Sequence, residues 1–248
     1  MTLLTRRRLL GSLDVGAGGL LLMGSGRIPV LPKGEDIIGL GEGLTMRAQR
    51  LITSRTALAR EFSALDMSPR FRTNGNTKPA SEAYQAHLAN RFTDWRLSVN
   101  GLVRDALNLP LAQIKAMPAR TQITRHDCVE GWSAIGKWTG APLKLMLDAA
   151  NLLPTARYIV FHCADDFDGT PYYESIDLID AYHPQTILAW GMNDELLSVG
   201  HGAPLRLRVE RQLGYKQAKY VMRVEVVASL HPIGAGNGGY WEDSAGYQ

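Results

Sequence analysis

Alternation of apolar and polar residues indicates short strands along most of the chain after residue 90. Trp95–Val99 alternates, Asn100-Gly101 is typical of a hairpin turn, and Leu102-Val103 begins a predicted return strand. Further strand-like runs are Thr121–Arg125, Tyr158–Cys163, Tyr172–Ile176, Leu205–Val209 and Arg223–Val227. Helical segments are few and short: Ser81–Asn90, Leu109–Ala116 and an amphipathic helix that Gly140 and Pro142 open. This mixture predicts an α+β fold rather than a doubly wound sheet.

The N-terminus has the pattern of an export signal. Thr5-Arg-Arg-Arg-Leu-Leu10 precedes a leucine- and glycine-rich stretch that runs to about Met23, which is typical of a twin-arginine signal. A basic start followed by a buried helix is the alternative. We predict a twin-arginine export signal over residues 1–26, a linker and N-terminal extension over 27–64, and one large domain over 65–248. Because the twin-arginine route carries folded proteins, the signal predicts a periplasmic protein with a prosthetic group inserted before export.

Composition agrees with a medium-sized globular enzyme. The 248 residues are 45% hydrophobic and 21% charged, which is enough for one sizeable core. The net charge of +3 is mild, and the arginine run at the start contributes part of it. Nucleic-acid binding would require Lys and Arg clustered on one face with stacking aromatics. An anionic cofactor or substrate fits this chain better than a nucleic acid does.

One of the two cysteines, Cys128, lies among charged and hydrogen-bonding residues in Thr124-Arg-His-Asp-Cys-Val-Glu-Gly-Trp-Ser133. A structural cysteine usually lies in an apolar run, whereas a thiolate needs positive charge or a metal nearby. We expect Cys128 on a loop between a strand and the helix that follows Pro142, in a position to bind a ligand. Two alternatives stay open. One is a cofactor-free exported binding protein with a Cys128–Cys163 disulfide, and the other is a zinc enzyme that uses His126, Asp127 and Cys128.

Two blocks of sequence, in the expected order, carry a resemblance to a known family. Arg125-His-Asp-Cys-Val-Glu-Gly-Trp-Ser133, with Gly136-Lys-Trp138 after it, resembles the cysteine loop of the sulfite oxidase family of molybdopterin enzymes. His201-Gly-Ala-Pro-Leu-Arg206 and Gly214-Tyr-Lys-Gln-Ala-Lys-Tyr220 resemble the pterin-phosphate segment of that family. The resemblance covers about residue 65 to the C-terminus. It implies the mixed-sheet catalytic domain of that family, molybdenum-molybdopterin as cofactor, oxygen-atom transfer as reaction, and Cys128 as a soft thiolate ligand of the metal.

The resemblance also implies a set of pterin-binding residues. They would be Arg72, Thr73, Asn74, Cys163, His201, Arg206, Gln217, Ala218 and Lys219, with Gln217 and Ala218 acting through backbone amides. A planar arginine fork with a lysine point charge beside it suits a phosphate group. Ordinary alternatives exist, because Arg206 also fits the solvated face of a strand and His201 also fits an unremarkable loop position.

Substrate residues are expected beside the metal. The resemblance suggests Arg125 as a catalytic arginine that neutralises a dianionic substrate, and Tyr173 as a catalytic tyrosine that hydrogen-bonds to an oxo group. Asp165, Asp166 and Asp168 with Gly169 lack the closing bidentate Glu of a calcium loop. We interpret this acidic run as a solvated turn.

The sequence contains no Cys-x-x-Cys-His haem motif, and no immunoglobulin-like dimerisation domain follows the catalytic region. It therefore resembles the bacterial branch of the family, which includes the catalytic subunit of the periplasmic methionine sulfoxide reductase. That branch implies a monomeric catalytic subunit that reduces a small-molecule or protein-bound sulfoxide. Electrons would come from a separate redox partner, either a membrane haem protein or a soluble cytochrome. A sulfite dehydrogenase is the alternative, and the direction of the reaction stays open.

Overall fold

The computed structural model describes residue 54 and residues 56–246. The predicted export signal over residues 1–26 therefore lies outside the described residues. Part of the predicted linker over 27–64 is described and packs against the domain. The N–H of Phe62 donates to the carbonyl of Ile123 at 2.9 Å, and the N–H of Ala59 donates to Gln185 Oε1 at 2.7 Å. The packed part of the chain thus extends N-terminal of the boundary predicted at residue 65.

Ten strands, five short α-helices and three 3-10 turns make up the regular structure of the described residues. The strands are Arg96–Gly101 (β1), Leu107–Pro110 (β2), Arg120–Cys128 (β3), Trp132–Pro142 (β4), Tyr158–Phe167 (β5), Thr170–Asp177 (β6), Ile187–Met192 (β7), Glu195–Leu196 (β8), Arg206–Arg208 (β9) and Val221–Val227 (β10). The α-helices are Glu82–Ala89 (α1), Leu111–Ala116 (α2), Leu143–Ala150 (α3), Leu178–Ala181 (α4) and Tyr240–Ala245 (α5). No helix of the described residues is both long enough and apolar enough to span a membrane.

The strands form two sheets. One has the order β2-β1-β10-β5-β6, in which β1 pairs with β10 in parallel and the other neighbours are antiparallel. The other has the order β3-β4-β7-β8, with β9 also pairing with β7, and all of its pairs are antiparallel. Alternation buries one face of β1 at Leu97 and Val99. The predicted α+β class with mixed sheets is confirmed.

The position of Cys128 differs from the prediction. Cys128 is the last residue of β3, and the eleven-residue strand β4 separates it from helix α3, which begins at Leu143 as predicted. A tight turn joins β3 to β4, with the N–H of Gly131 donating to the carbonyl of Cys128 at 3.1 Å. The sequence pattern missed β4 because Gly136 and Gly140 take the place of apolar residues at two of its inward positions.

Gly101 ends β1, and the return strand β2 begins at Leu107 rather than at Leu102 as predicted. Gly101 has φ +90°, in the region that L residues with a Cβ rarely occupy. A Cβ on Gly101 would also lie 2.3 Å from the carbonyl oxygen of Val226 and 2.9 Å from its nitrogen. The chain therefore stays close to β10 before it turns back.

Gly101→Ala and Gly131→Ala separate these two effects, since Gly131 has φ +86° but an open space where its Cβ would be. We expect Gly131→Ala to lower the free energy of unfolding by about 1–2 kcal/mol, the cost of a left-handed backbone. Gly101→Ala should cost more, because β10 must also move. Urea unfolding of both variants measures the difference. Equal losses in the free energy of unfolding would contradict an added cost from the close approach of residue 101 to Val226.

Candidate cofactor site

A cavity of about 180 Å³ lies where the end of β3 meets the segments 74–76 and 214–219, strands β5 and β6, and helix α5. Five of the predicted site residues line it: Asn74, Cys128, Gln217, Ala218 and Lys219. The 3-10 turn Gly214–Lys216 approaches β3 closely, and a Cβ on Gly214 would lie 2.6 Å from the imidazole of His126. This close approach brings the 214–219 segment and Cys128 to the same cavity.

Cys128 supplies the sulfur of the site. Burial raises the pKa of its thiol, while the backbone N–H of Glu130 and the guanidinium of Arg206 act in the opposite direction. A thiol in this environment becomes a stable thiolate when a metal coordinates it. Both cysteines are free thiols in the structure, so the Cys128–Cys163 disulfide is not formed.

Arg206 is fully buried on β9, which corrects the alternative that it lies on a solvated strand face. Its guanidinium donates to the carbonyl of His201 at 3.3 Å and to Asn74 Oδ1 at 3.5 Å, and its Nε has no hydrogen-bond partner. It forms no salt bridge among the described residues, unlike Arg208, which donates to Glu210 Oε2 at 2.7 Å. Burial, followed by the charge of Arg208, lowers the pKa of Arg206 to about 9.

Lys219 is a second buried cation, with 4% of its surface exposed. Its ammonium donates to the carbonyls of Asn74 at 2.6 Å and Gly200 at 3.0 Å, and also to the carbonyl of Asn76. Burial, followed by the charge of Arg206, lowers the pKa of Lys219 to about 7. Within the described part of the chain Lys219 has no salt bridge either, so an anion between the two cations would lower the cost of burying both.

These residues fit a phosphate-bearing pterin. The fit rests on the two unpaired cations and on one buried donor without a hydrogen-bond partner, Arg206 Nε. Arg206 and Lys219 would hold the phosphate, Gln217 and Ala218 line the same wall, and Cys128 would hold the metal.

Two predicted catalytic residues lie away from the cavity. Arg125 is on the opposite face of β3 from Cys128, its side chain is 57% exposed, and it pairs with Asp127 at 2.9 Å. The Tyr173 hydroxyl donates to the carbonyl of Ile233 at 3.3 Å and to the Asp243 carboxylate. The structure therefore does not bring Arg125 or Tyr173 to Cys128. The neighbour Tyr172 lines the cavity instead.

The remaining predicted residues do not line the cavity. Arg72 and Thr73 are exposed, and Cys163 is a partly buried thiol packed against the core. The His201 imidazole bonds to Ser198 Oγ at 2.8 Å and to the carbonyl of Phe71 at 3.3 Å. Burial lowers the pKa of His201. His201 therefore contributes its carbonyl, which accepts from Arg206, rather than an imidazole aimed into the cavity.

A zinc site at His126, Asp127 and Cys128 is not supported. His126 is fully buried and its Nδ1 accepts from Arg208 at 3.2 Å, while Asp127 faces the other side of β3 and accepts from Ser133 Oγ at 2.6 Å. Successive strand residues point to opposite faces. The described residues contain no group of three or more His, Cys, Asp or Glu that could hold a metal ion.

Ten lining residues were not predicted as site residues, although four of them, Val129, Glu130, Gly214 and Tyr215, lie in the two motif blocks. The ten are Gly75, Asn76, Val129, Glu130, Asp165, Phe167, Tyr172, Gly214, Tyr215 and Trp241. Asp165 corrects the prediction of a solvated acidic turn, because it is only 5% exposed. Trp241 lies in the closing Gly238-Gly-Tyr-Trp-Glu-Asp243 segment, which was part of the resemblance and could have pointed to it.

A buried ion cluster connects three walls of the cavity. The ammonium of Lys216 bonds to Glu174 Oε1 at 2.7 Å and pairs with the carboxylate of Glu242. Glu174 belongs to β6, Lys216 to the 214–216 turn and Glu242 to α5. Burial raises the pKa of Glu174 well above its ordinary value, while Lys216 acts in the opposite direction.

Comparison with known families identifies the domain. Residues 85–232 match the model of the family described as "Oxidoreductase molybdopterin binding domain". The chain belongs to this family. Molybdopterin is therefore the cofactor of this domain, and the enzyme is an oxidoreductase.

Relatives with assigned names agree with this family. The chain is 44% identical over 149 residues to a relative from Azospira oryzae that is named provisionally as the protein-methionine-sulfoxide reductase subunit YedZ1. The aligned residues cover 60% of this chain and 53% of the relative. It is 32% identical over 166 residues to the protein-methionine-sulfoxide reductase catalytic subunit MsrP of Gluconobacter oxydans, covering 62% of this chain and 52% of that protein. The chain thus spans about half the length of these curated relatives.

A solved structure has a similar fold. The crystal structure of the sulfane dehydrogenase SoxCD from Paracoccus pantotrophus matches with a TM-score of 0.50 and 23% identity, over 55% of this chain and 39% of that chain. This likeness supports the sulfite oxidase-type fold.

Glu174→Gln tests the buried ion cluster through pH. Because the folded-state pKa of Glu174 lies above its ordinary value of 4.5, the stability that Glu174 contributes is full below pH 4.5 and is lost as pH rises. The free energy of unfolding of the variant should therefore rise relative to that of the wild type. The expected slope is about 1.4 kcal/mol per pH unit from pH 4.5 up to the folded-state pKa of Glu174. Urea unfolding across pH measures this slope. Glu195→Gln, at an exposed position of β8, should follow the wild type, and a pH-independent offset for Glu174→Gln would contradict the prediction.

Proposed function

We propose that this protein is an exported molybdopterin oxidoreductase that reduces a small or protein-bound sulfoxide by oxygen-atom transfer. The observation that carries the proposal is that Cys128 and Lys219 line one cavity, with the unpaired Arg206 behind Asn74. The relative from Gluconobacter oxydans that is named as a protein-methionine-sulfoxide reductase catalytic subunit, at 32% identity, supports this substrate class.

Different residues would hold the metal and the phosphate of the cofactor. When bound, the cofactor supplies oxygen-atom transfer and one-electron chemistry at its metal. Cys128 would fix the metal at the end of β3, and Arg206 and Lys219 would fix the phosphate. Reduction of a sulfoxide to a sulfide consumes two electrons and two protons and releases one water molecule.

The charges of the cavity favour a neutral substrate over sulfite. Its lining includes the carboxylate of Glu130, and its one lining cation among the described residues is Lys219. A sulfite dianion would be repelled by Glu130, and the charge of Lys219 would already be used by the phosphate. The aromatic side chains of Phe167, Tyr215 and Trp241 also line the cavity and suit the apolar groups of a sulfoxide.

Electrons would come from a separate redox partner, as the resemblance to the bacterial branch of the family implies. We infer a membrane haem protein or a soluble cytochrome as that partner. The twin-arginine pattern in residues 1–26 supports a periplasmic location for a monomeric catalytic subunit. Sulfite dehydrogenation by the same site is the alternative function.

The substrate preference can be measured directly. Protein matured in a molybdopterin-producing host should reduce sulfoxides with reduced viologen as electron donor and should not oxidise sulfite with an artificial acceptor, because the cavity disfavours a dianion. Steady-state assays with both substrates decide this point. Sulfite oxidation without sulfoxide turnover would favour the alternative.

The two cysteines provide a matched pair of variants. Cys128→Ser should lose sulfoxide turnover and change the molybdenum electron paramagnetic resonance signal, because a hydroxyl is a poor substitute for a soft thiolate. Cys163→Ser should keep both, since Cys163 does not line the cavity. Full turnover with an unchanged signal in Cys128→Ser would contradict the role of Cys128.

The export signal can be tested independently of the site. Replacing Arg6 and Arg7 together by Lys should leave the protein in the cytoplasm with an unchanged molybdenum content, because the pathway reads the paired arginines. Fractionation followed by metal analysis measures both properties. Replacement of Lys33 and Lys78 by Arg provides a charge-neutral control, and continued export of the Arg6/Arg7 variant would refute the signal.

A further inference from the structure

Asp165 is a buried carboxyl group that the proposed chemistry does not yet use. It lies on β5, lines the cavity and is 5% exposed. Its Oδ1 has no hydrogen-bond partner, and its Oδ2 accepts one long bond, 3.4 Å, from Asn76 Nδ2. A buried carboxyl group with so few donors is poorly compensated as an anion.

Lys219 does not neutralise Asp165 directly. The ammonium of Lys219 donates to three backbone carbonyls, and it forms no salt bridge with Asp165 among the described residues. The titratable groups whose charges act on Asp165 are Lys219, Asp166, Tyr84, Tyr172, Tyr220 and Cys163. Lys219 is the one cation of this set, and it is also the residue that the phosphate would engage.

A bound phosphate would raise the proton affinity of the Asp165 carboxyl group. Two anions in one buried site repel each other, so the proton affinity of one of them rises. Burial already raises the pKa of Asp165 to about 6 without any ligand. A phosphate beside Lys219 therefore favours the acid form of Asp165 at neutral pH, and that form has an O–H to donate.

We propose that Asp165 serves the anionic phosphate of the cofactor as a neutral hydrogen-bond donor, and that loading the cavity takes up one proton from solvent onto Asp165. The proton forms an O–H bond on the carboxyl group, and no redox change is involved. This inference rests on the molybdopterin site of the proposed function.

Loading at different pH values tests the proton uptake. The probe is molybdopterin released from a denatured carrier enzyme and added to protein made in a host that cannot synthesise it, with retained pterin measured by its fluorescence. The titration of the phosphate is common to wild type and Asp165→Asn, whereas loss of the Asp165 charge lowers the pKa of Lys219 in the variant. The ratio of the two association constants should fall with rising pH above about 6, by about tenfold per pH unit once Lys219 has titrated in both proteins. Asp166→Asn is the matched control, since Asp166 accepts from the N–H of Gly169 in the β5–β6 turn. It should keep the wild-type slope, with the onset at a lower pH because one charge that raises the pKa of Asp165 is lost.

Infrared spectroscopy of loaded wild-type protein gives a second measurement that needs no substitution. With ¹³C-labelled aspartate, a protonated carboxylic acid C=O band should be present at neutral pH and absent from the protein before loading at the same pH. Parallel pH curves with much weaker loading of Asp165→Asn would mean that Asp165 acts as an anion toward an N–H donor, and this would overturn the proposal. Absence of the band would overturn it too. Wild-type protein that takes up no pterin at any pH would contradict the proposed function itself, and the proposal with it.

Discussion

Burial of two cations without carboxylate partners is the constraint on which the cavity depends. Arg206 and Lys219 are almost fully inside the protein, and backbone carbonyls and Asn74 are their acceptors among the described residues. An uncompensated buried charge costs several kcal/mol, so a fold that keeps two of them side by side is suited to an anionic ligand. The contrast with Arg208, paired with Glu210 two residues further on the same segment, shows that the chain can neutralise a buried arginine.

The β3–β4 hairpin and the 214–219 segment line the same cavity and bring Cys128 close to these cations. Strand alternation puts Cys128 and His126 on one face of β3, and the small Gly214 lets the cation-bearing segment pack on His126. The cluster of Glu174, Lys216 and Glu242 then connects the same segment to β6 and to α5, which contributes Trp241. The proposed metal ligand, phosphate site and substrate wall are thus held by one set of contacts.

The sequence predicted the class of the fold and the centre of the site, because both depend on local patterns. Alternation located β1, β5, β6 and β10, and the resemblance located Cys128, Arg206 and Lys219. Prediction from the sequence failed where the deciding contact joins residues that are far apart in the chain. Strand β4 carries glycines at inward positions, and Asp165 looks like a turn residue until β5 and β6 cover it. The resemblance suggested Arg125 and Tyr173 as catalytic residues, whereas strand alternation turns them away from the cavity.

The central claim is that Cys128 is the protein ligand of a molybdenum atom in this cavity. X-ray absorption spectroscopy at the molybdenum edge of purified, matured protein tests it most directly, because sulfur and oxygen neighbours scatter differently. The account predicts one sulfur neighbour more in the wild type than in Cys128→Ser, with Cys163→Ser identical to the wild type. An equal number of sulfur neighbours in wild type and Cys128→Ser would contradict it.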